Sequence, residues 1–244
     1  MINHTDKYDM TILIPVYNEE ENMNRLEKEM SGYIGEASIK TCVLFIDDSS
    51  SDKSLNHIIE ICEKNPHFYY ISLKKRGGLS AALKAGIDIC NSRYLGYIDA
   101  DLQTDPKDFD LLLNYADNHE LVTGIRKNRK DTWFKICQSK IANGFRRFMT
   151  KDGVEDTGCP LKVIHSETAK QIPFFSGMHR FLPALVIMVG GRIKQIPVNH
   201  FQRIAGKSKY NLWNRLVAPF VDCFAYRWMK RRFISYEIER DNLK

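Results

Sequence analysis

Two carboxylates one residue apart, Asp99 and Asp101, follow the short apolar run Tyr94-Leu-Gly-Tyr-Ile98. A strand ending there sends both off the edge of a sheet, where a turn brings them toward one hard cation. Mg2+ takes one or two carboxylates, keeps waters and completes its shell with substrate phosphates, so the pair suits a metal–diphosphate site. An isolated Asp-x-Asp is more often a turn or a cap. Its weight here comes from its company. Asp47-Asp48 closes a second apolar run, Thr41–Ile46, and Asp52 opens the helix after it. Carboxylates so placed accept from a nucleobase N–H or from ribose hydroxyls, while Asp52 reads as an N-cap. The bases Arg126, Lys127, Arg129 and Lys130 follow a fifth apolar run. A charge run is usually a solvated face, but at this place it offers cations to phosphates. Gly77-Gly78 resembles a phosphate loop, yet the chain has no G-x-G-x-x-G or Walker pattern, which speaks against a nicotinamide cofactor or a P-loop nucleotide.

These residues need a scaffold that gathers strand ends. Apolar runs at Met10–Val16, Thr41–Ile46, Phe68–Leu73, Tyr94–Ile98 and Glu120–Ile125 alternate with amphipathic stretches near Glu19–Tyr33, Asp52–Lys64, Leu79–Asn91 and Pro106–Asn118. The last is opened by Asp105 as N-cap and Pro106 at the first helical position. The alternation predicts an α/β fold, an open doubly wound, mostly parallel sheet with helices on both faces. Such sheets bind ligands beyond the carboxyl ends of their strands, where Pro15-Val-Tyr-Asn-Glu19, Asp47–Asp52 and Asp99–Gln103 fall. Further on, a helix is expected over Asp131–Thr150, a loop over Lys151–Gly158, a helix over His179–Val189, a strand or hairpin arm over Arg192–Phe201, and an amphipathic helix over Leu212–Lys230 kinked near Pro219. His165, His179 and His200 lack a metal-ligand spacing and read as packed or exposed.

The chain of 244 residues is 43% hydrophobic, enough for a sizeable core and incompatible with general disorder. Its six cysteines form no C-x-x-C pair, so neither a disulfide framework nor a structural zinc site is expected, and a reducing compartment fits. The polar N-terminus has no secretory h-region. The longest apolar run, Phe181–Val189, is about half of a membrane span. The net charge of +6 is concentrated: between Arg203 and Arg232 eight bases face the single acid Asp222. A basic end on a near-neutral body points to an anionic partner there.

The motifs Ile14-Pro-Val-Tyr-Asn-Glu-Glu-Glu-Asn22, Ile46-Asp-Asp-Ser-Ser-Ser-Asp52, Arg76-Gly-Gly-Leu-Ser-Ala-Ala82 and Ile98-Asp-Ala-Asp-Leu-Gln-Thr-Asp-Pro106 together resemble glycosyltransferase family 2, of GT-A fold. Asp-Ala-Asp-Leu-Gln-x-x-Pro is similar to the dolichyl-phosphate mannose synthase and bacterial polyprenyl-phosphate glycosyltransferase branch. Gly124-Ile-Arg126, Asp156-Thr-Gly-Cys159 and Arg203-Ile-Ala-Gly-Lys-Ser-Lys-Tyr210 continue the match. The resemblance implies that Pro15, Tyr17, Glu19, Asp47 and Asp48 cradle the nucleoside. It implies that Asp99, Asp101 and Gln103 hold Mg2+ or Mn2+ on the donor diphosphate. Arg126 and Arg129 would meet phosphates, Asp156 would lie in the substrate site, and Arg203, Ser208 and Lys209 would close over the diphosphate.

The implied reaction is an inverting, metal-dependent hexosyl transfer from a UDP- or GDP-linked sugar to a polyprenyl phosphate at the cytoplasmic membrane face. A phosphate acceptor is already ionised near neutral pH and needs cations rather than a strong base, which fits the basic segments. If the acceptor were instead a glycan or lipid hydroxyl, Asp156 would become the candidate base. The division expected is a catalytic domain over residues 1–210 and a basic helical segment over 211–244. From Leu212 on, Leu216, Phe220, Phe224 and Trp228 recur at helical spacing beside Arg227, Lys230, Arg231 and Arg232. Such a helix either lies in a membrane interface or packs on the domain itself, on a separate membrane subunit or on a second copy; a water-insoluble acceptor favours the membrane. The protein is thus expected to be cytoplasmic and peripheral on the inner face of the membrane. A non-catalytic nucleic-acid-binding module ranks below these, because the tail offers no open stacking platform.

Overall fold

The computed structural model describes residues 4–127, 144–202 and 212–234, with 236 and 240. Seven strands form one sheet: β1 (Met10–Val16), β2 (Thr41–Asp47), β3 (Phe68–Ser72), β4 (Tyr94–Tyr97), β5 (Leu121–Arg126), β6 (Lys162–His165) and β7 (Ile193–Val198). Their order is β3-β2-β1-β4-β6-β5-β7. All pairings are parallel except those of β6, which runs antiparallel between β4 and β5. The mostly parallel α/β sheet is the expected one. The antiparallel β6 and the short helix after it are additions, because Lys162-Val-Ile-His165 is brief and opens on a lysine, giving no periodicity to read.

The helices are α1 (Met23–Glu36), α2 (Ser54–Lys64), α3 (Leu79–Ile89), α4 (Asp108–Ala116), α5 over residues 144–150, α6 (Ser166–Gln171), α7 (Leu182–Met188) and α8 (Leu212–Arg232). Side chains pointing alternately from the strands build two cores. Ile12, Ile14, Val43, Phe45, Leu26 and Phe109 fill the layer under α1, α2 and α4. Leu13, Leu44, Ile46, Leu83, Leu185 and Tyr226 fill the layer under α3, α7 and α8. β2 is buried at all seven positions, as a central parallel strand covered on both faces must be.

Several element boundaries moved for local reasons. α1 begins at Met23, after a 3-10 turn at Glu20–Asn22, because the backbone N–H groups of Asn18, Glu19 and Glu20 are taken by the side chains of Ser50, Ser54 and Asp52. Asp105 does accept from the Lys107 N–H at 3.0 Å, but it nucleates a turn, and α4 starts only at Asp108. The helix expected over His179–Val189 is divided: Gly177 at φ +94° opens a 3-10 turn at Met178–Arg180, and Pro183 stands in the first turn of α7. α8 runs unbroken through Pro219. Of the helix expected over Asp131–Thr150, residues 131–143 lie outside the described residues.

Among the described residues no helix is long and apolar enough to cross a membrane. α8 packs one stripe on the rest of the molecule: Cys223 and Tyr226 are buried, the Tyr226 ring stacks on Phe181, and its hydroxyl donates to the Ala184 carbonyl at 3.2 Å.

Candidate active site

The order of the strands decides where a ligand has room. From β1 the chain builds outward through β2 and β3, then crosses to the other side with β4, so the topological switch point lies between β1 and β4. Their ladder ends at Leu13 and Tyr97. β1 continues through Ile14, Pro15 and Val16 against β2 alone, and a crevice opens on its β4 side. Pro15 is tolerated inside a sheet because the ladder to β4 has already ended where its missing N–H would matter.

Among the described residues, three of the four non-glycine positions with left-handed backbone sit on the rim of this crevice: Asn18 (φ 51°), Ser49 (φ 59°) and Leu102 (φ 47°), after β1, β2 and β4 respectively. Such conformations cost of order 1–3 kcal/mol each and persist where the surroundings over-determine them. Here the surroundings are visible. Asn18 Oδ1 accepts from the Ser51 N–H at 2.8 Å, and its Nδ2 donates to Ser51 Oγ at 3.1 Å, which zips the β1 loop to the β2 loop. Arg25 on α1 donates to the Leu102 carbonyl at 3.3 Å and holds the β4 turn.

The acids of the β2 end are largely occupied with building this rim. Asp47, buried, accepts from the Ser50 N–H at 3.1 Å and from Ser72 Oγ at 2.7 Å. Asp48, also buried, accepts from the N–H groups of Gly77 and Gly78 at 2.6 and 2.8 Å. The Gly77-Gly78 loop therefore grips a carboxylate of its own chain where a phosphate seemed the natural guest. A Cβ on Gly77 would stand 2.6 Å from that of Ala81, and Gly78 has φ +81°, so both positions require glycine. Arg76, one residue earlier, lies over the Tyr17 ring at 4.0 Å, a cation–π contact that fixes the tyrosine at the mouth of the crevice. Glu19 accepts from Asn22 Nδ2 at 2.7 Å.

On the β4 side, the Tyr97 hydroxyl donates to Asp99 Oδ1 at 2.6 Å, and Asp101 Oδ1 accepts from the Gln103 N–H at 3.3 Å. Gln103 Nε2 donates to the Phe201 carbonyl at 3.3 Å and the Phe201 N–H donates back to the Gln103 carbonyl at 2.8 Å. Gln103 thus clamps the segment after β7 onto the Asp99–Asp101 turn. The two carboxylates on a strained turn offer hard oxygen donors of the kind that suit Mg2+ or Mn2+. Among the described residues no larger group of His, Cys, Asp and Glu gathers, and a phosphate-completed shell needs none.

Arg126, at the end of β5, makes a bidentate pair with Asp156, Nε and Nη2 each donating at 2.8 Å, and both side chains are nearly buried. A Cβ on Gly158 would stand 2.8 Å from the Arg126 guanidinium, so that glycine keeps the pair flat. Lys162, fully buried on β6, donates to the Cys159 carbonyl and lies 5.6 Å from the Tyr97 ring centre. Burial pushes its pKa down, opposed by Cys159, Asp156 and Asp99. His179 meets Ser80 Oγ at 2.8 Å, the same oxygen that accepts from the Gly177 N–H at 3.1 Å, and this joins the 3-10 turn to the start of α3. Burial, with Arg180 and Lys162, lowers its pKa to about 3, so it is neutral at working pH.

The structure therefore brings Pro15, Tyr17, Glu19, Asp47, Asp48, Asp99, Asp101 and Gln103 to one rim, with Arg126 and Asp156 paired at the end of β5. Arg129, Arg203, Ser208 and Lys209 lie outside the described residues. Sequence reading missed Arg76, Lys162 and the Ser80–His179 link. Arg76 directly precedes Gly77-Gly78, the one available signal. The other two depend on contacts far apart in the chain.

A doubly wound sheet with a carboxylate turn at its switch point narrows the choice of family, and residues 11–179 match the family described as glycosyl transferase family 2. The chain belongs to glycosyltransferase family 2. Its architecture is the GT-A fold. It is 31% identical over 210 residues to dodecaprenyl-phosphate galacturonate synthase of Rhizobium johnstonii, a match covering 84% of this chain and 62% of that protein's length. Among solved structures it is similar to glucosyl-3-phosphoglycerate synthase from Mycobacterium tuberculosis in complex with Mn2+, UDP and glucosyl-3-phosphoglycerate, at TM-score 0.67 and 13% identity, covering 94% of this chain and 82% of that one. It is also similar to a mannosyltransferase from Pyrobaculum calidifontis in complex with GDP-Man and Mn2+, at TM-score 0.65 and 17% identity, covering 94% and 65% respectively. At such identities these two structures establish the shared fold.

Proposed function

We propose that this glycosyltransferase moves a sugar from a nucleoside-diphosphate donor to a polyprenyl phosphate, and that it does so as a peripheral protein on the cytoplasmic face of a membrane. The observation that carries the donor half is the Asp99–Asp101 turn at the β1/β4 switch point, strained at Leu102 and facing the loops that carry Tyr17 and Asp48. The galacturonate synthase relative supports the acceptor half by its name.

In this reading Tyr17, Glu19 and the Asp47–Asp48 loop receive the nucleoside. Arg76 holds Tyr17, and the glycine pair holds Asp48. Asp99 and Asp101, with Gln103 beside them, would hold a divalent cation, which would supply positive charge to a diphosphate leaving group. Gln103 keeps that turn against the segment after β7. Arg126, set by Asp156, meets a phosphate oxygen of donor or acceptor, with Arg129, Arg203, Ser208 and Lys209 as further cations and donors closing over the phosphates. Preorganised cations of this kind stabilise the charge that develops in the transition state without reorganising at that moment. An ionised acceptor phosphate attacks the anomeric carbon directly, with inversion, and needs no base. The bidentate Arg126–Asp156 pair favours this acceptor over a hydroxyl, because a carboxylate with both oxygens engaged by a guanidinium is a poor proton acceptor.

The outward side of α8 supports the membrane assignment. Phe220, Phe224 and Trp228 are 50%, 53% and 60% exposed, whereas Cys223 and Tyr226 are buried. An aromatic stripe flanked by Arg227, Lys230, Arg231 and Arg232 suits the headgroup boundary.

The test is transfer of label from a panel of UDP- and GDP-sugars, with Mg2+ or Mn2+, into an organic-soluble polyprenyl-phosphate product. The expected result is one labelled lipid that disappears on chelation and in Asp101→Ala. Donor hydrolysis without labelled lipid would retain the fold and the donor site and discard the acceptor.

A further inference from the structure

Between α5 and α8 lies a cavity of about 450 Å3 lined by Met149, Phe224, Arg227, Trp228, Arg231 and Arg232. Its volume is within the range of small-ligand sites, roughly 300–1,000 Å3. Its lining is divided by chemistry: an apolar wall of Met149, Phe224 and Trp228, and three guanidinium groups. Arg232 lies over the Trp228 ring at 5.3 Å, and an Nη of Arg227 lies 3.7 Å from the Met149 sulfur. Two of the three cations are therefore held at the apolar wall. Among the described residues no carboxylate pairs with any of the three.

The neighbouring surface continues the apolar side. Phe145 of α5 stacks on Phe220 with ring centres 4.8 Å apart, Phe220 meets Phe224 at 5.2 Å, and Phe148 is 70% exposed. An aromatic shelf beside a cavity with three unneutralised arginines complements a molecule with an anionic phosphodiester at one end and hydrocarbon at the other. Guanidinium groups suit phosphate oxygens through paired N–H donors.

We propose that this cavity is a binding site for the headgroup of an anionic glycerophospholipid, with Arg227, Arg231 and Arg232 on the phosphodiester and Phe224 and Trp228 against the glycerol and first acyl carbons. The inference rests on the peripheral-membrane reading above and sharpens it: the helix recognises a headgroup in a defined pocket, where a diffuse basic film would feel only surface potential. The ligand is a bulk membrane lipid, distinct from the acceptor that is consumed.

The experiment is vesicle co-sedimentation of the full chain with phosphatidylcholine alone, with phosphatidylcholine plus phosphatidylglycerol, and with phosphatidylcholine plus polyprenyl phosphate, with soluble glycerophosphoglycerol as competitor. Three variants are compared: Arg231→Gln and Arg232→Gln, which line the cavity, and Lys230→Gln, an exposed base outside it. The expected result is phosphatidylglycerol-dependent binding reversed by the soluble headgroup, with losses of more than the fivefold or so that one surface charge contributes for the two arginine variants and no more than that for Lys230→Gln. Equal losses in all three variants, with no competition, would overturn the pocket and leave a diffuse electrostatic surface. Binding only to vesicles holding polyprenyl phosphate would assign the cavity to the acceptor and overturn the phospholipid. Binding to none would overturn the membrane reading itself. Unchanged thermal melting keeps the comparison free of folding effects, since the three side chains are exposed.

Discussion

Asp48 gives both carboxylate oxygens to the backbone of Gly77 and Gly78, so one acidic side chain fixes the loop that carries Arg76 and with it the Tyr17 ring. Gly78→Ala puts a Cβ on a backbone at φ +81°, ψ 170°, a region kept almost entirely by glycine, and should cost about 1–3 kcal/mol. The urea midpoint would measure that loss. Donor affinity should fall alongside it in equilibrium binding, because the Asp48 grip loosens. His179 makes a prediction about pH. Its folded pKa, about 3, lies below the unfolded value of about 6.5. The unfolded chain therefore takes a proton that the folded chain refuses. His179 leaves stability intact above pH 6.5 and erodes it as pH falls toward 3, by up to about 1.4 kcal/mol per pH unit. Denaturant midpoints between pH 7.5 and 5 should fall less steeply in His179→Gln than in the parent.

At the scale of elements, β5 and the loop before β6 meet through Arg126 and Asp156. Both side chains are mostly buried, so removing one partner leaves the other charge stranded. Asp156→Ala should destabilise the protein by about 3–5 kcal/mol, read from chemical denaturation. Full transfer activity in Asp156→Asn, against weak activity in Arg126→Gln, is the expected outcome if the arginine meets phosphate and the carboxylate only positions it. The reverse ranking would return Asp156 to the role of base. α8 divides its tasks between two sides. Tyr226→Ala should lower stability by about 3–5 kcal/mol, since the ring is fully buried against Phe181. Trp228→Ser should leave melting nearly unchanged and reduce flotation with liposomes, while Phe224→Ser should reduce flotation with a small loss of melting temperature from its contact with Phe220.

For the whole molecule, a charge imbalance along the chain becomes a division of surfaces. The crevice at the β1/β4 switch point is rimmed by carboxylates at strand ends, whereas Arg227, Arg231 and Arg232 gather where α8 meets α5. Under the proposed function, this polarity separates a wall for a nucleotide from a wall for an anionic partner. Deleting residues after Leu212 would remove the Tyr226 packing as well as the aromatic stripe. The surface variants are therefore the cleaner test of membrane docking.

Much of this was open to reading in the residues themselves. The alternation of apolar runs with amphipathic stretches specified five strands, their helices and the rim at their carboxyl ends, because period and burial are local consequences of side-chain order. Asp99, Asp101, Asp47 and Asp48 could be picked out for the same reason, since each acid stands at or just after the end of a strand. What tertiary structure alone decided are the relations between distant segments. β6 takes its place between β4 and β5 by pairing with strands more than thirty residues away. Gly77-Gly78 turns from a phosphate loop into the clasp of Asp48, and Arg126 finds Asp156. The aromatic stripe of α8 faces outward because Cys223 and Tyr226, weaker as a pattern, have Phe181 and Ala184 to pack against. A hydrophobic period states that a helix has a face to bury, and only the surfaces that meet in the folded chain determine which face it is.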